Sequence, residues 1–155
     1  MSVEDRLGQL NIVLPAPPRP VANYVPACQV GDLLFISGVL PFDNGQLRMK
    51  GKLGRELTIQ EGYESARLAL LNALAIVKQH TGALDRVKRI VRLTGYVASA
   101  SDFVEQPAVV NGASDLLVEL FGDSGRHARL ALGAAELPMH APVELELIVQ
   151  LHEMN

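Results

Sequence analysis

The sequence predicts an α+β fold, in which one mixed β-sheet carries two helices on one of its faces. Two long segments show apolar residues at the three- and four-residue spacing of a helix, and the shorter segments are apolar or alternate as strands do. The predicted order is β-β-α-β-α-β-β, which differs from the regular alternation of a doubly wound sheet. A length of 155 residues with 48% hydrophobic residues favours one domain, residues 1–155.

Residues 1–20 are predicted to form an N-terminal arm. Met1–Leu10 is expected to be a short helical turn or a mobile arm, and four prolines between positions 15 and 20 exclude a regular helix there. A hairpin follows, with Tyr24–Val30 and Leu33–Gly38 joined by Gly31-Asp32. The second strand begins with four apolar residues, so we expect it to be covered on both faces.

Pro41–Leu57 is rich in glycine and charge and is predicted to be a loop near a functional site. The first long helix begins at Thr58, which forms a T-x-x-E capping box with Glu61, and ends at Gly82. The second begins near Pro107 and ends at Gly122.

Three further strands are predicted at Val87–Val97, His127–Gly133 and Val143–Leu151. The last alternates valine and leucine with Glu144, Glu146, Gln150 and His152. We therefore expect the two helices to cover one face of the sheet. The other face is expected to carry Arg129, Glu144 and Glu146 and to be covered by another subunit.

Charge and cysteine content argue against several classes of protein. The net charge is -3 and the pI is near 5.8, whereas a general nucleic-acid binder usually has a basic surplus. The basic cluster Arg86, Lys88, Arg89 and Arg92 is therefore interpreted as a solvated or ion-paired face. Cys28 is the one cysteine, and it is expected to be a buried structural thiol in a cytoplasmic protein. No signal peptide or membrane span is apparent.

Motifs for phosphate binding, zinc proteolysis, redox thiols and serine hydrolysis are absent from the sequence. The four histidines, at positions 80, 127, 140 and 152, lack metal-ligand spacing. His127 should share a face with Arg129 and is interpreted as a structural or rim residue. No metal site is predicted.

Arg129 lies among small residues and has two possible roles. Its planar guanidinium could pair with Glu144 or Glu146 on an adjacent strand, because a buried charge without a partner is costly. Alternatively, it could bind the carboxylate of a substrate through two hydrogen bonds, while Glu144 holds a water molecule. The residue pattern by itself leaves both open.

Several separated segments together resemble the Rid family of reactive-intermediate deaminases, also called YjgF or endoribonuclease L-PSP. They are Tyr24, Leu33–Pro41 with its Ser-Gly-x-x-Pro ending, Val110-Asn111, Arg129 eight residues before Leu137-Pro138, and Pro142–Ile148. The resemblance spans about residues 20–151. It implies a chorismate-mutase-like fold and a homotrimeric barrel with sites between the subunits.

The resemblance also implies residue roles. Arg129 would bind the substrate carboxylate, Glu144 would activate water, and the Ala131 backbone would contact the substrate nitrogen region. The remaining pocket residues would be Tyr24, Ser37, Gly38 and Asn111, partly from a neighbouring subunit. The implied reaction hydrolyses 2-imino or 2-enamino acids such as 2-aminoacrylate to 2-oxo acids and ammonia, with no cofactor.

The chain departs from the family pattern in two places. His127-Ala128-Arg129-Leu130 stands where the family commonly has Pro-x-Arg-Ser, and we expect Leu130 to face away from Arg129. The N-terminal arm and residues 44–57 resemble a longer subgroup of the family.

The alternative function is that of a trimer that binds small carboxylates or 2-oxo acids without turnover. Ribonuclease activity is disfavoured by the acidic pI and by the scarcity of aromatic residues.

Overall fold

The computed structural model describes residues 1–20 and 22–154. Its elements follow the predicted order, with a short helix before the first strand and a small additional hairpin. The helices are α1 (Val3–Gln9), α2 (Ile59–Thr81) and α3 (Gln106–Phe121). The strands are β1 (Ala27–Val30), β2 (Leu33–Val39), β3 (Phe42–Asp43), β4 (Gln46–Leu47), β5 (Val87–Ala98), β6 (Ala128–Ala134) and β7 (Val143–Leu151).

Five strands form one mixed sheet in the order β1-β2-β7-β5-β6. β5 and β6 are parallel and are connected through α3, whereas the other neighbouring strands are antiparallel. β3 and β4 form a separate hairpin within the segment predicted as a loop. The α+β class with one mixed sheet is therefore confirmed.

The core lies between the two long helices and one face of the sheet. In β7 the odd-numbered residues from Val143 to Leu151 are buried, and the even-numbered residues between them are partly or fully exposed. This confirms the predicted alternation. The opposite sheet face, called the open face below, carries Glu144, Glu146 and the residues that pair beside them on β5.

Helix α2 has the predicted ends. The Thr58 hydroxyl accepts a hydrogen bond from the Glu61 amide at 3.2 Å, and the Glu61 carboxylate accepts one from the Thr58 amide at 2.7 Å. Gly82 ends the helix in the left-handed conformation, with φ of 87°. Gly112 of α3 faces the Tyr63 carbonyl so closely that a Cβ atom would overlap it, so this glycine permits the two helices to approach.

Two burial predictions near the first hairpin were wrong for the described chain. Cys28 is exposed rather than buried, and Phe35, which pairs opposite it, is 41% exposed. Their strands lie toward one edge of the sheet, and both side chains point to the open face, where no helix packs. Within one chain, the apolar run in β2 is therefore covered on one face.

The predicted face of Arg129 was also wrong. β5 lies between β6 and β7, and its register pairs Leu93 with Arg129 on one side and with Leu147 on the other. Leu93 and Leu147 are buried under the helices, so Arg129 lies on the helix side, whereas Glu144 lies on the open face. The structural ion pair between Arg129 and Glu144 or Glu146 is therefore excluded within one chain.

None of the helices described for residues 1–20 and 22–154 is long and apolar enough to cross a membrane.

Candidate active site

A cavity of about 220 Å³ lies beside Glu144. Three residues that the family resemblance placed in the pocket line it, namely Tyr24, Ser37 and Gly38. The rest of its wall is mostly apolar and comes from the N-terminal arm, the residue before β1, β2 and the loop after it, β3, α2 and the turn before β7. These residues are Pro18, Arg19, Pro20, Pro26, Val39, Leu40, Phe42, Ile76, Pro138 and Met139.

The Glu144 carboxylate lies in an environment suited to proton transfer. Its burial, and secondarily the nearby charge of Glu146, raise the pKa of Glu144 above the usual range of a glutamate. A carboxylate with a raised pKa takes up and releases protons closer to neutral pH, as a general acid and base must do.

Gly38 and Ser37 define the space around this carboxylate. A Cβ atom on Gly38 would overlap Oε1 of Glu144 and would lie 3.2 Å from its carboxyl carbon, so only glycine leaves room for the side chain as it stands. The Ser37 hydroxyl donates a hydrogen bond to the Val25 carbonyl at 2.6 Å. Its oxygen therefore retains lone pairs that can accept a hydrogen bond from a ligand.

Arg129 forms a second cluster with α3. Its Nη1 atom donates to the Asn111 side-chain oxygen at 2.6 Å and to the Ser114 hydroxyl at 3.2 Å. The described residues include no acidic side chain that forms an ion pair with Arg129. Because Nη1 is already used, the edge formed by Nε and Nη2 is the part of the guanidinium suited to bind a carboxylate.

Ala131 follows Arg129 on the same side of β6, which is an edge strand of the sheet. Leu130 pairs beside Thr94 and faces away from Arg129, as expected, so this leucine does not obstruct Arg129. Because Arg129 lies on the helix side, Leu130 points to the open face. The predicted site residues thus form two clusters: Tyr24, Ser37, Gly38 and Glu144 in one, and Asn111, Arg129 and Ala131 in the other. One chain does not bring the two clusters together.

Three residues beside these clusters were not predicted from the sequence. Ser114 follows Asn111 by three positions, a helical spacing that places both on one face and could have indicated it. Met139 directly follows the Leu137-Pro138 pair and lines the Glu144 cavity. Arg19 lies in the proline-rich arm, and no sequence signal there indicated contact with the cavity.

Within residues 1–20 and 22–154, no group of three or more histidine, cysteine, aspartate or glutamate side chains is arranged to hold a metal ion. The two clusters themselves provide a cation, a carboxyl group of raised pKa and several hydroxyl and amide groups.

A family model described as "YjgF/chorismate mutase-like, putative endoribonuclease" matches residues 4–151. The chain belongs to this YjgF family. The Trypanosoma cruzi protein TCP17 is 44% identical over 151 residues, which cover 97% of this chain and 94% of that protein. The match extends through the N-terminal arm, so the arm is shared with at least this relative.

Two further proteins are similar to this YjgF chain, one in sequence and the other in both sequence and structure. The 2-iminobutanoate/2-iminopropanoate deaminase of Dermatophagoides farinae is 31% identical over 138 residues, covering 89% of this chain and 93% of that one. Atu1372, a protein of unknown function from Agrobacterium tumefaciens, is 42% identical to this chain in sequence. Its crystal structure superposes on this chain with a TM-score of 0.90. That superposition covers 97% of this chain and 92% of the other.

Proposed function

We propose that this protein hydrolyses 2-imino and 2-enamino acids, of which 2-aminoacrylate is the type, to 2-oxo acids and ammonia. The observation that carries the proposal is the pair of complementary clusters, a guanidinium edge at Arg129 and a carboxyl group of raised pKa at Glu144. The named activity of the Dermatophagoides relative supports the same substrate class.

We further propose that two chains of a homotrimer complete each site. Arg129 and Glu144 lie on opposite faces of the sheet with β5 between their strands, so they act on one substrate only when they come from different chains. The open face also exposes Phe35, Leu130 and Leu132, each 40–43% accessible. An apolar sheet face of this kind is typical of a surface that a neighbouring chain covers.

The two clusters provide the steps that hydrolysis of an imine requires. Arg129 would bind the carboxylate of the substrate and orient its C=N bond. Glu144 would accept a proton as a water molecule adds to the imine carbon, and would pass it to the nitrogen. It would then take the proton of the new hydroxyl group and deliver it to the same nitrogen, so that the C–N bond breaks, ammonia leaves and the C=O bond of the 2-oxo acid forms. The imine carbon is already electrophilic, so positioning and proton transfer suffice and a covalent intermediate is unnecessary.

The test is ammonia release from 2-aminoacrylate generated in the assay. Wild-type protein should exceed the spontaneous rate, and Arg129→Ala should return the rate to the spontaneous level. Arg126→Ala is a matched control, because this exposed arginine lies three residues away and forms an ion pair with exposed Asp123. If wild-type protein leaves the spontaneous rate unchanged for imines of several amino acids, the proposal is wrong.

One observation favours a second candidate, the binding of small carboxylates or 2-oxo acids without turnover. The Arg129 cluster is formed entirely within one chain and does not require Glu144. Calorimetry distinguishes the two candidates. Binding of a 2-oxo acid that persists in Glu144→Gln, together with no deaminase activity, would favour the second.

A further inference from the structure

A chain of hydrogen bonds connects Arg129 to the loop that precedes its strand. The Ser114 hydroxyl lies 3.2 Å from Nη1 of Arg129 and 2.9 Å from Nε2 of His127. The other ring nitrogen of His127, Nδ1, lies 2.6 Å from the Gly125 carbonyl oxygen. Ser114 is on α3, whereas His127 immediately precedes β6, so the chain links two elements at the guanidinium.

The chemistry of the groups determines the direction of each hydrogen bond. A carbonyl oxygen only accepts, so Nδ1 of His127 carries the proton and donates to Gly125. In the neutral ring Nε2 is then an acceptor, and it receives the proton of the Ser114 hydroxyl. The lone pairs of the Ser114 oxygen are left to accept from Arg129, which has donors only.

These contacts restrict the plane of the guanidinium. Both hydrogens of Nη1 are engaged, one by Asn111 and one by Ser114. Because the guanidinium group is planar, holding Nη1 at two points also fixes the direction in which Nε and Nη2 present their hydrogens. A side chain fixed in this way loses less rotamer freedom when a carboxylate binds.

We propose that Ser114 and His127 are positioning residues that hold Arg129 ready to bind a carboxylate. The inference rests on the proposed role of Arg129 in substrate binding. Ser114 and His127 act through the arginine and are not assigned contact with the reacting atoms. Their removal should therefore weaken carboxylate binding and raise KM, while kcat changes by less than about twofold.

The first test measures pyruvate binding to the full-length protein by calorimetry. Ser114→Ala and His127→Ala should each weaken binding about five- to tenfold, the effect of losing one ordinary net hydrogen bond. Ser114→Thr keeps the hydroxyl and should restore binding to within about twofold of wild type. Ser101→Ala, at an exposed turn, is the control and should leave the affinity unchanged.

The second test is independent of both binding and activity. Nitrogen-15 NMR of the wild-type protein should show His127 protonated at Nδ1 and unprotonated at Nε2. The Arg129 guanidinium should give distinct, slowly exchanging Nη signals that average in Ser114→Ala. A proton on Nε2 of His127, or Arg129 signals that Ser114→Ala leaves unchanged, would overturn the inference.

The outcomes separate this inference from the proposed function. If the deaminase is active but Ser114→Ala alters neither pyruvate affinity nor KM, the positioning role is wrong while the proposed function stands. If the NMR and binding results are as expected but no ammonia is released, the proposed function is wrong and the positioning role stands.

Discussion

At the scale of the residue, Glu144 is the group whose protonation should control turnover. Its raised pKa arises first from burial and then from the charge of Glu146. Glu146 lies two residues away on the same face of β7, is exposed within one chain and does not line the cavity, so it offers a way to change the Glu144 pKa without altering the cavity wall.

Glu146→Gln should move the acid limb of the kcat/KM profile to lower pH. The neutral amide removes a negative charge that raises the Glu144 pKa, so the active carboxylate forms at a lower pH. Glu144→Gln should instead lower kcat/KM about 10²- to 10⁴-fold, the usual contribution of a general acid or base. If the pH profile of kcat/KM does not shift in Glu146→Gln, the charge of Glu146 does not raise the pKa of Glu144.

Glu144→Gln should also change the dependence of stability on pH. A carboxyl group whose pKa is raised by folding favours the protonated folded state, and this contribution is lost as the pH rises through the raised pKa. The variant should therefore be more stable than wild type at about pH 8, and the difference should vanish below the ordinary glutamate pKa of about 4.3. Thermal unfolding of both proteins across this pH range measures the difference in stability. A difference that does not change with pH would contradict a Glu144 pKa raised by folding.

Gly38→Ala should reduce activity through the position of Glu144. The new Cβ atom overlaps the carboxylate oxygen, so the Glu144 side chain must move, and a shift of about 1 Å commonly costs on the order of 100-fold in rate. Gly8→Ala is the control, because nothing lies near its Cβ position. Unchanged kcat in Gly38→Ala would show that the carboxylate position is not important.

At the scale of the element, the turn between β6 and β7 is strained where it meets the cavity. Met139 has φ of 61° and His140 has φ of 58°, both in the left-handed region that residues other than glycine seldom adopt. The turn is held by a 2.9 Å bond from the Gly51 amide to the His140 carbonyl and by a 2.8 Å ion pair between Lys52 and Glu136.

Substitutions at Met139 should therefore follow backbone conformation more than size. Met139→Val places a β-branched residue in the left-handed region and should cost about 1–2 kcal/mol of unfolding free energy. Met139→Gly relieves the strain and should change stability by less than about 1 kcal/mol, although it removes a large side chain. Denaturant titration gives both values, with Met139→Leu as the control. If the valine and glycine variants lose the same unfolding free energy, the backbone at Met139 is not strained.

The elements that local patterns specify could be predicted from the sequence. Helix α2 is defined by its capping box and Gly82, and β7 by its alternation, and both were found within about one residue of their predicted limits. Exposure of Cys28 and Phe35 was not predictable in this way. A run of apolar residues does not indicate which strand lies at an edge or which face lacks a helix.

At the scale of the whole molecule, the identities of the candidate site residues came from family resemblance, and their arrangement came from the topology. Alternation along β6 indicates two faces but does not say which one packs under α3. The parallel register of Leu93 with Arg129 settles this, and it depends on contacts distant in the sequence. For the same reason the sequence could not show that β5 separates Arg129 from Glu144.

The proposed assembly can be tested by mixing two inactive variants. Arg129→Ala keeps an intact Glu144 cluster, and Glu144→Gln keeps an intact Arg129 cluster. In a cyclic trimer assembled at random from equal amounts, about one quarter of the sites receive both intact clusters from neighbouring chains. Replacing Glu144→Gln with the Arg129→Ala/Glu144→Gln double variant is the control, because no site can then be complete.

The most direct measurement is therefore ammonia release from 2-aminoacrylate after the Arg129→Ala and Glu144→Gln proteins are unfolded together and refolded. A site shared between chains predicts recovery of about one quarter of the wild-type rate, with none in the control mixture. If the refolded mixture stays as inactive as its components while wild-type protein treated in the same way is active, Arg129 and Glu144 do not act together across chains.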